Sequence, residues 1–97
     1  MKDNHLNINN NIINKDIKYK KGRYVGQVVN GLREGKGIRY WNDGERYEGD
    51  WRNDNMEGKG IKYYNNGDRE MGDYYNDEPV GKHVRLTKNG DVKIENY

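Results

Sequence analysis

A 23-residue period runs through this chain without a gap, and it decides most of what the chain can become. Tyr24, Tyr47, Glu70 and Lys93 occupy equivalent positions, followed by Gly26, Gly49, Gly72 and Glu95, and then by Val28, Trp51, Tyr74 and Tyr97. Later in each unit come Gly35, Gly58 and Gly81; Gly37, Gly60 and His83; Tyr40, Tyr63 and Leu86; and Gly44, Gly67 and Gly90. Self-similarity of this kind marks a repeat architecture, in which one unit cannot bury its apolar face alone and neighbours must stack. The period also overrides composition. With 31% hydrophobic and 35% charged residues the chain would otherwise read as disordered. Its nine Tyr, two Trp and 13 Gly recur at fixed intervals instead.

Within a unit the pattern predicts strand, loop, strand and tight turn. Tyr47, Gly49 and Trp51 alternate with Glu48, Asp50 and Arg52, the period of two expected of a half-buried strand. Asp43-Gly44, Asn66-Gly67 and Asn89-Gly90 are dipeptides that favour two-residue type I′ hairpin turns. Counting outward from such a turn at Asp43-Gly44 sets Tyr40 opposite Tyr47, Arg39 opposite Glu48 and Ile38 opposite Gly49. A shorter upstream hairpin, with Lys21-Gly22 as its turn, sets Tyr19 opposite Tyr24 and Ile17 opposite Gly26, so order is expected from Ile17. At the other end, Leu86 is expected to face Lys93. The glycines at 26, 35, 37, 44, 49, 58, 60, 67, 72, 81 and 90 (Gly26, Gly35, Gly37, Gly44, Gly49, Gly58, Gly60, Gly67, Gly72, Gly81, Gly90) read as structural, because the Gly-Lys-Gly runs join strands rather than opening a helix as a phosphate loop would.

Residues 47–69 carry Tyr47, Gly49, Trp51, Gly58, Gly60, Tyr63 and Gly67, and so resemble the MORN repeat (membrane occupation and recognition nexus), whose unit begins Tyr-x-Gly-x-Trp and continues through Gly-x-Gly to Tyr-x-x-Gly. Residues 24–46 match with Val28 in place of Trp, and residues 70–92 resemble the variant repeats common in bacteria. The resemblance implies an all-β fold: an elongated antiparallel meander of tandem β-hairpins, about three and a half repeats forming a single twisted sheet. The expected organisation is an Asn-rich, disordered segment 1–16 and a repeat domain 17–97, made of a partial repeat 17–23, repeats 24–46, 47–69 and 70–92, and a truncated cap 93–97. It also implies a platform for proteins or lipids with no catalytic residues and no cofactor. Such repeats accompany lipid kinases, a SET-domain methyltransferase and junctional membrane proteins, and some bacterial relatives are described as antitoxin-like.

The residues themselves argue the same way. With no Ser, no Cys and only Thr87, the common nucleophiles are missing, and His5 and His83 are too few for a His cluster. Asp50, Asp54 and Asp73 form no closely spaced carboxylate loop, so no metal site is expected. Residues 24–92 carry eleven basic and thirteen acidic side chains, which argues against nucleic acid as a ligand. No stretch has the length and apolarity of a signal peptide or a transmembrane helix, and without Cys a cytoplasmic protein, at most peripheral at a membrane, is expected.

The expected binding surface is an aromatic row, Tyr24, Tyr40, Tyr47, Trp51, Tyr63 and Tyr74, on one face, which also supplies the core. Trp41, Tyr64 and Tyr75 are expected on the opposite face amid Arg39, Arg46, Lys62 and Arg69, as a second contact surface. The expected partner is another protein. The alternative is acidic phospholipid, held by Lys18, Lys20, Lys21 and Arg23; the same lysines also read as protection of an edge strand. A third reading, an antitoxin-like or immunity protein, rests on the resemblance alone. An end-to-end homodimer is one way for so few repeats to gain the burial they lack.

Overall fold

The computed structural model describes residues 11–97, and in them the chain is one antiparallel sheet of eight strands in meander order. The strands are β1 Ile12–Tyr19, β2 Gly22–Val29, β3 Leu32–Trp41, β4 Arg46–Arg52, β5 Asn55–Tyr63, β6 Arg69–Tyr75, β7 Glu78–Leu86 and β8 Val92–Asn96. Each strand pairs with its sequence neighbours, so the backbone pairing that builds the sheet is between consecutive strands. Residues 12–16, expected to lie outside the sheet, are strand, and order begins upstream of Ile17. The expectation of disorder for residues 1–10 falls outside the described residues.

Two kinds of turn alternate, and they are not distributed as the dipeptides suggested. The two-residue turns with both residues at positive φ are Asn30-Gly31, Asn53-Asp54 and Asn76-Asp77, with φ of 50° and 83°, 48° and 73°, and 52° and 70°. Asn and Asp tolerate this left-handed region better than other side chains do, which is what a type I′ turn asks for. Asp43-Gly44 belongs instead to a three-residue loop. The Gly44 amide donates to the Trp41 carbonyl at 3.2 Å, the Trp41 amide donates to the Glu45 carbonyl at 2.9 Å, and Gly44 takes φ 96°. That is a type I turn closed by a glycine bulge. Asn66-Gly67 and Asn89-Gly90 repeat it, with Gly67 bonded to Tyr64 and Gly90 to Thr87.

One added turn residue shifts the pairing by one and turns every side chain to the other face. Arg39 faces Tyr47, Tyr40 faces Arg46 and Ile38 faces Glu48, correcting the expected Tyr40–Tyr47, Arg39–Glu48 and Ile38–Gly49 pairs. In the first hairpin the turn is Lys20-Lys21, so Ile17 faces Tyr24 and Tyr19 faces Gly22. At the far end Leu86 faces Val92, not Lys93.

In the corrected register the glycines meet one another. Gly26 pairs with Gly37, Gly37 with Gly49, Gly49 with Gly60, and Gly60 with Gly72, a line without side chains across five strands. Aromatic rings lie over that line. A Cβ on Gly37 would come within 2.2 Å of the Tyr24 hydroxyl, and one on Gly60 within 2.2 Å of the Tyr47 ring, so only glycine fits beneath them. Tyr24, Tyr47, Trp51, Tyr74 and His83 are buried although the sheet is a single layer, so the sheet curls around this inner face.

The rings form one column. Tyr24 packs edge-on against Trp51 (5.3 Å between centroids), Trp51 against Tyr47 (5.4 Å), Tyr47 against Tyr74 (5.0 Å), Tyr74 against His83 (5.4 Å) and His83 against Tyr97 (4.9 Å). Each such pair adds about 0.5–1.5 kcal/mol beyond its buried area. The polar ends are satisfied inside the sheet: the Tyr24 and Tyr47 hydroxyls donate to the carbonyls of Gln27 (2.7 Å) and Asp50 (2.9 Å), and Trp51 Nε1 donates to the Gly37 carbonyl (3.1 Å). Burial pushes the Tyr24 phenol up to about 12, and it raises Tyr47 and Tyr74 as well.

Candidate functional site

Paired residues in a sheet share a face, so the register sorts every proposed contact residue. Tyr24, Tyr47, Trp51 and Tyr74 do come together on the inner face, where they form the buried column. Tyr40 and Tyr63 do not join them. They pair with Arg46 and Arg69 on the outer face, where the guanidinium of Arg23 lies over Tyr40 at 5.2 Å and that of Arg46 over Tyr63 at 3.7 Å. Trp41, expected on the far side, is on the inner face with the column and packs against it. Tyr75 is exposed on the outer face.

The basic residues separate in the same way. Lys18 pairs with Arg23, Arg23 pairs with Tyr40, and Arg23 also meets Asp16 at 3.3 Å. Lys20 and Lys21 form the β1–β2 turn. Lys18, Lys20, Lys21 and Arg23 are therefore not one surface.

Beside the buried column runs a second row on the inner face that is only half buried, in which cations and rings alternate. Arg39 stacks between Tyr19 and Trp41, with its guanidinium carbon 5.1 Å from each ring centroid. Lys62 lies over Trp41 at 4.7 Å and Tyr64 at 5.5 Å, and Arg85 lies over Tyr64 at 4.0 Å. Arg33 sits where the two rows meet, 4.7 Å from Trp51 and 5.8 Å from Tyr19. Each contact contributes about 0.5–1 kcal/mol where water has access, and it holds a long cationic side chain in one place. Arg39, Lys62 and Arg85 stand 23 residues apart, a spacing visible in the sequence, but their shared face with Tyr47 follows only from the three-residue turns.

Charge is not even along this row. Arg33 is bonded to Asp54 through Nε at 2.7 Å, Lys62 meets Glu45 at 3.4 Å, and Arg85 meets Asp68 at 2.9 Å and Glu70 at 3.6 Å. Arg39, Lys20 and Lys21 have no acidic partner among the described residues. Burial, and after it the charge of Arg33, holds the Arg39 guanidinium below its ordinary value. These three cations, with Tyr19 and Arg33, line a recess of about 370 Å³.

At the opposite end the buried column is closed by an acid. Glu70 stands where earlier units have Tyr24 and Tyr47, and His83 where they have Gly37 and Gly60. Both are buried, with His83 Nδ1 2.9 Å from Glu70 Oε2, although off the line of a well-formed hydrogen bond. Glu70 also accepts from the hydroxyls of Tyr97 (2.6 Å) and Tyr64 (3.2 Å). The bond to Glu70, with burial, raises the Tyr97 phenol.

The surface offers cationic edges and half-exposed rings, which suits holding a partner. Among the described residues no group of His, Cys, Asp or Glu is arranged to hold a metal ion, and no helix is long and apolar enough to cross a membrane. In comparisons with known proteins, residues 24–46 and 47–69 each match the MORN repeat family. No curated protein matches the chain.

Proposed function

This chain is a MORN-repeat protein, built from a non-catalytic repeat module, and we propose that it is a protein-interaction module whose contact surface is the inner face of the sheet. The observation that carries this reading is the row Tyr19–Arg39–Trp41–Lys62–Tyr64–Arg85. It sets half-exposed rings and the cations they hold beside a buried aromatic column on the same face. Aromatic and guanidinium groups are the residue types that dominate binding energy at protein interfaces. Association with acidic lipid has less support, because its candidate residues divide between the outer face and a turn.

The test separates contact from core. Trp51 is 4% exposed, so replacing it reads folding rather than binding. Trp41→Ala with Tyr64→Ala removes two half-exposed rings that flank the column and none of the column's own members. Affinity capture from a lysate of the host, with the native chain and this variant side by side, is expected to lose the captured protein while circular dichroism keeps its strand signal. Equal capture by both would refute the assignment of the inner face.

A further inference from the structure

We infer that the recess between the β1–β2 turn and β3 is a carboxylate-binding site, which takes an acidic side chain of a protein segment lying along the inner face. The inference rests on the inner-face reading above and adds to it the chemistry of the partner and the direction in which it lies.

The argument begins with Arg39. Its guanidinium carbon lies 5.1 Å from the ring centroids of both Tyr19 and Trp41, so aromatic rings flank the group on two sides. Nη1 is anchored to the Tyr40 carbonyl, while Nε and Nη2 make no hydrogen bond among the described residues. A half-buried guanidinium with Nε and Nη2 unbonded fits a planar carboxylate, which can accept two parallel hydrogen bonds from it. Preorganisation matters here because little side-chain freedom is left to lose on binding.

The surroundings add charge of one sign. Lys20 and Lys21 line the same recess without acidic partners among the described residues, and Arg33 contributes beside its own Asp54. Further along the face, Lys62 and Arg85 are already met by Glu45, Asp68 and Glu70. An acidic segment therefore gains most at the β1–β3 end, and its less charged part extends over Trp41 and Tyr64. The unequal neutralisation gives the bound segment a direction.

A protein segment fits better than a bilayer. Arg39 is half buried and flanked by rings on the inner face, where an extended acidic side chain reaches it more readily than a lipid headgroup does. The exposed cations Lys18 and Arg23, which a membrane would also use, point to the other face.

The test is an NMR titration of the complete, 15N-labelled chain with acetylated hexaglutamate, with hexalysine as control, at about 20 mM and 150 mM salt. Hexaglutamate is expected to move the amides of Tyr19 to Gly22 and of Arg39 to Trp41, with affinity falling at the higher salt. Arg39→Gln is expected to weaken binding at least tenfold. Lys20→Gln with Lys21→Gln, confined to an exposed turn that cannot unfold the sheet, is expected to weaken it severalfold. Arg39→Lys keeps the charge and loses the planar edge, and is expected to lie between native and Arg39→Gln. Shifts at Trp41 and Tyr64 that ignore all three variants would overturn the carboxylate site while leaving the inner face as the contact surface. No hexaglutamate binding, with association only to vesicles of acidic phospholipid, would overturn it in favour of lipid.

Discussion

The ring of Tyr24 lies across the backbone of Gly37, so closely that a Cβ there would sit 2.2 Å from the Tyr24 hydroxyl and 2.3 Å from its ring carbon. The same relation joins Tyr47 to Gly60 and, with a different ring, His83 to Gly72. A ring in one strand is matched to a missing side chain in another. That match lets a single-layer sheet bury its aromatics, and it locates the first prediction.

Gly60→Ala places a methyl group where the Tyr47 ring is, at 2.2 Å, with no flexible neighbour to yield. Overpacking of this kind costs about 1–3 kcal/mol, and the expected loss is at the upper end. Gly31→Asn is the control, since no atom lies within 4 Å and its φ of 83° suits a left-handed residue. Urea denaturation should show a large drop in midpoint for the first and little change for the second.

The turn register predicts cross-links. The chain has no cysteine of its own, so engineered pairs report cleanly. Ile38→Cys with Glu48→Cys places the two Cβ atoms on directly opposed residues and is expected to oxidise readily. Ile38→Cys with Gly49→Cys, the pair that a two-residue turn at Asp43-Gly44 would create, is expected to stay reduced. Thiol titration after mild oxidation distinguishes them.

How much of this was legible in the sequence divides along the same line. The period and the all-β meander are written in the spacing of Tyr and Gly. The facing of Tyr40 and Tyr63 is not, because Asp-Gly serves both a two-residue type I′ turn and a three-residue turn with a glycine bulge. One residue decides between them and flips one strand of the hairpin relative to the other. Two of the three type I′ sites, Asn53-Asp54 and Asn76-Asp77, lack the glycine that usually marks them. The cationic row was hidden for the same reason: Arg39 and Lys62 recur with the period, but their company with Tyr47 depends on the turn.

Two titrations bracket the stability. The Tyr24 phenol, raised by burial to about 12 from 10.0, contributes stability that is complete below pH 10 and is lost as pH rises from there toward 12. Asp54 lies on the other side. Desolvation raises its carboxyl, but the hydrogen bonds and charge of Arg33 outweigh that and hold it below 3.8. Its contribution is complete above about pH 4 and is lost as pH falls through the lowered value. Thermal unfolding against pH should fall at both ends. Tyr24→Phe should remove part of the alkaline fall at a cost of about 1 kcal/mol from the lost bond to Gln27, and Asp54→Asn should flatten the acid fall.

The third repeat departs from the other two at two positions that touch, and the departure is mutual. Tyr over Gly has become Glu70 beside His83, with the imidazole filling the space above Gly72 and the carboxylate receiving Tyr64, Tyr97 and Arg85. Each residue is therefore wrong without the other. Glu70→Tyr alone meets the imidazole in space already filled, and His83→Gly alone leaves a cavity and removes a neighbour from a buried carboxylate; each is expected to cost about 3 kcal/mol. Together they recreate the Tyr24–Gly37 arrangement and are expected to lie within about 1 kcal/mol of the native chain, an interaction energy well beyond additive behaviour. A double-mutant cycle by chemical denaturation measures it. Additive losses would mean that Glu70 and His83 are two independent substitutions, not one exchange of a ring-over-glycine contact for an acid–imidazole pair.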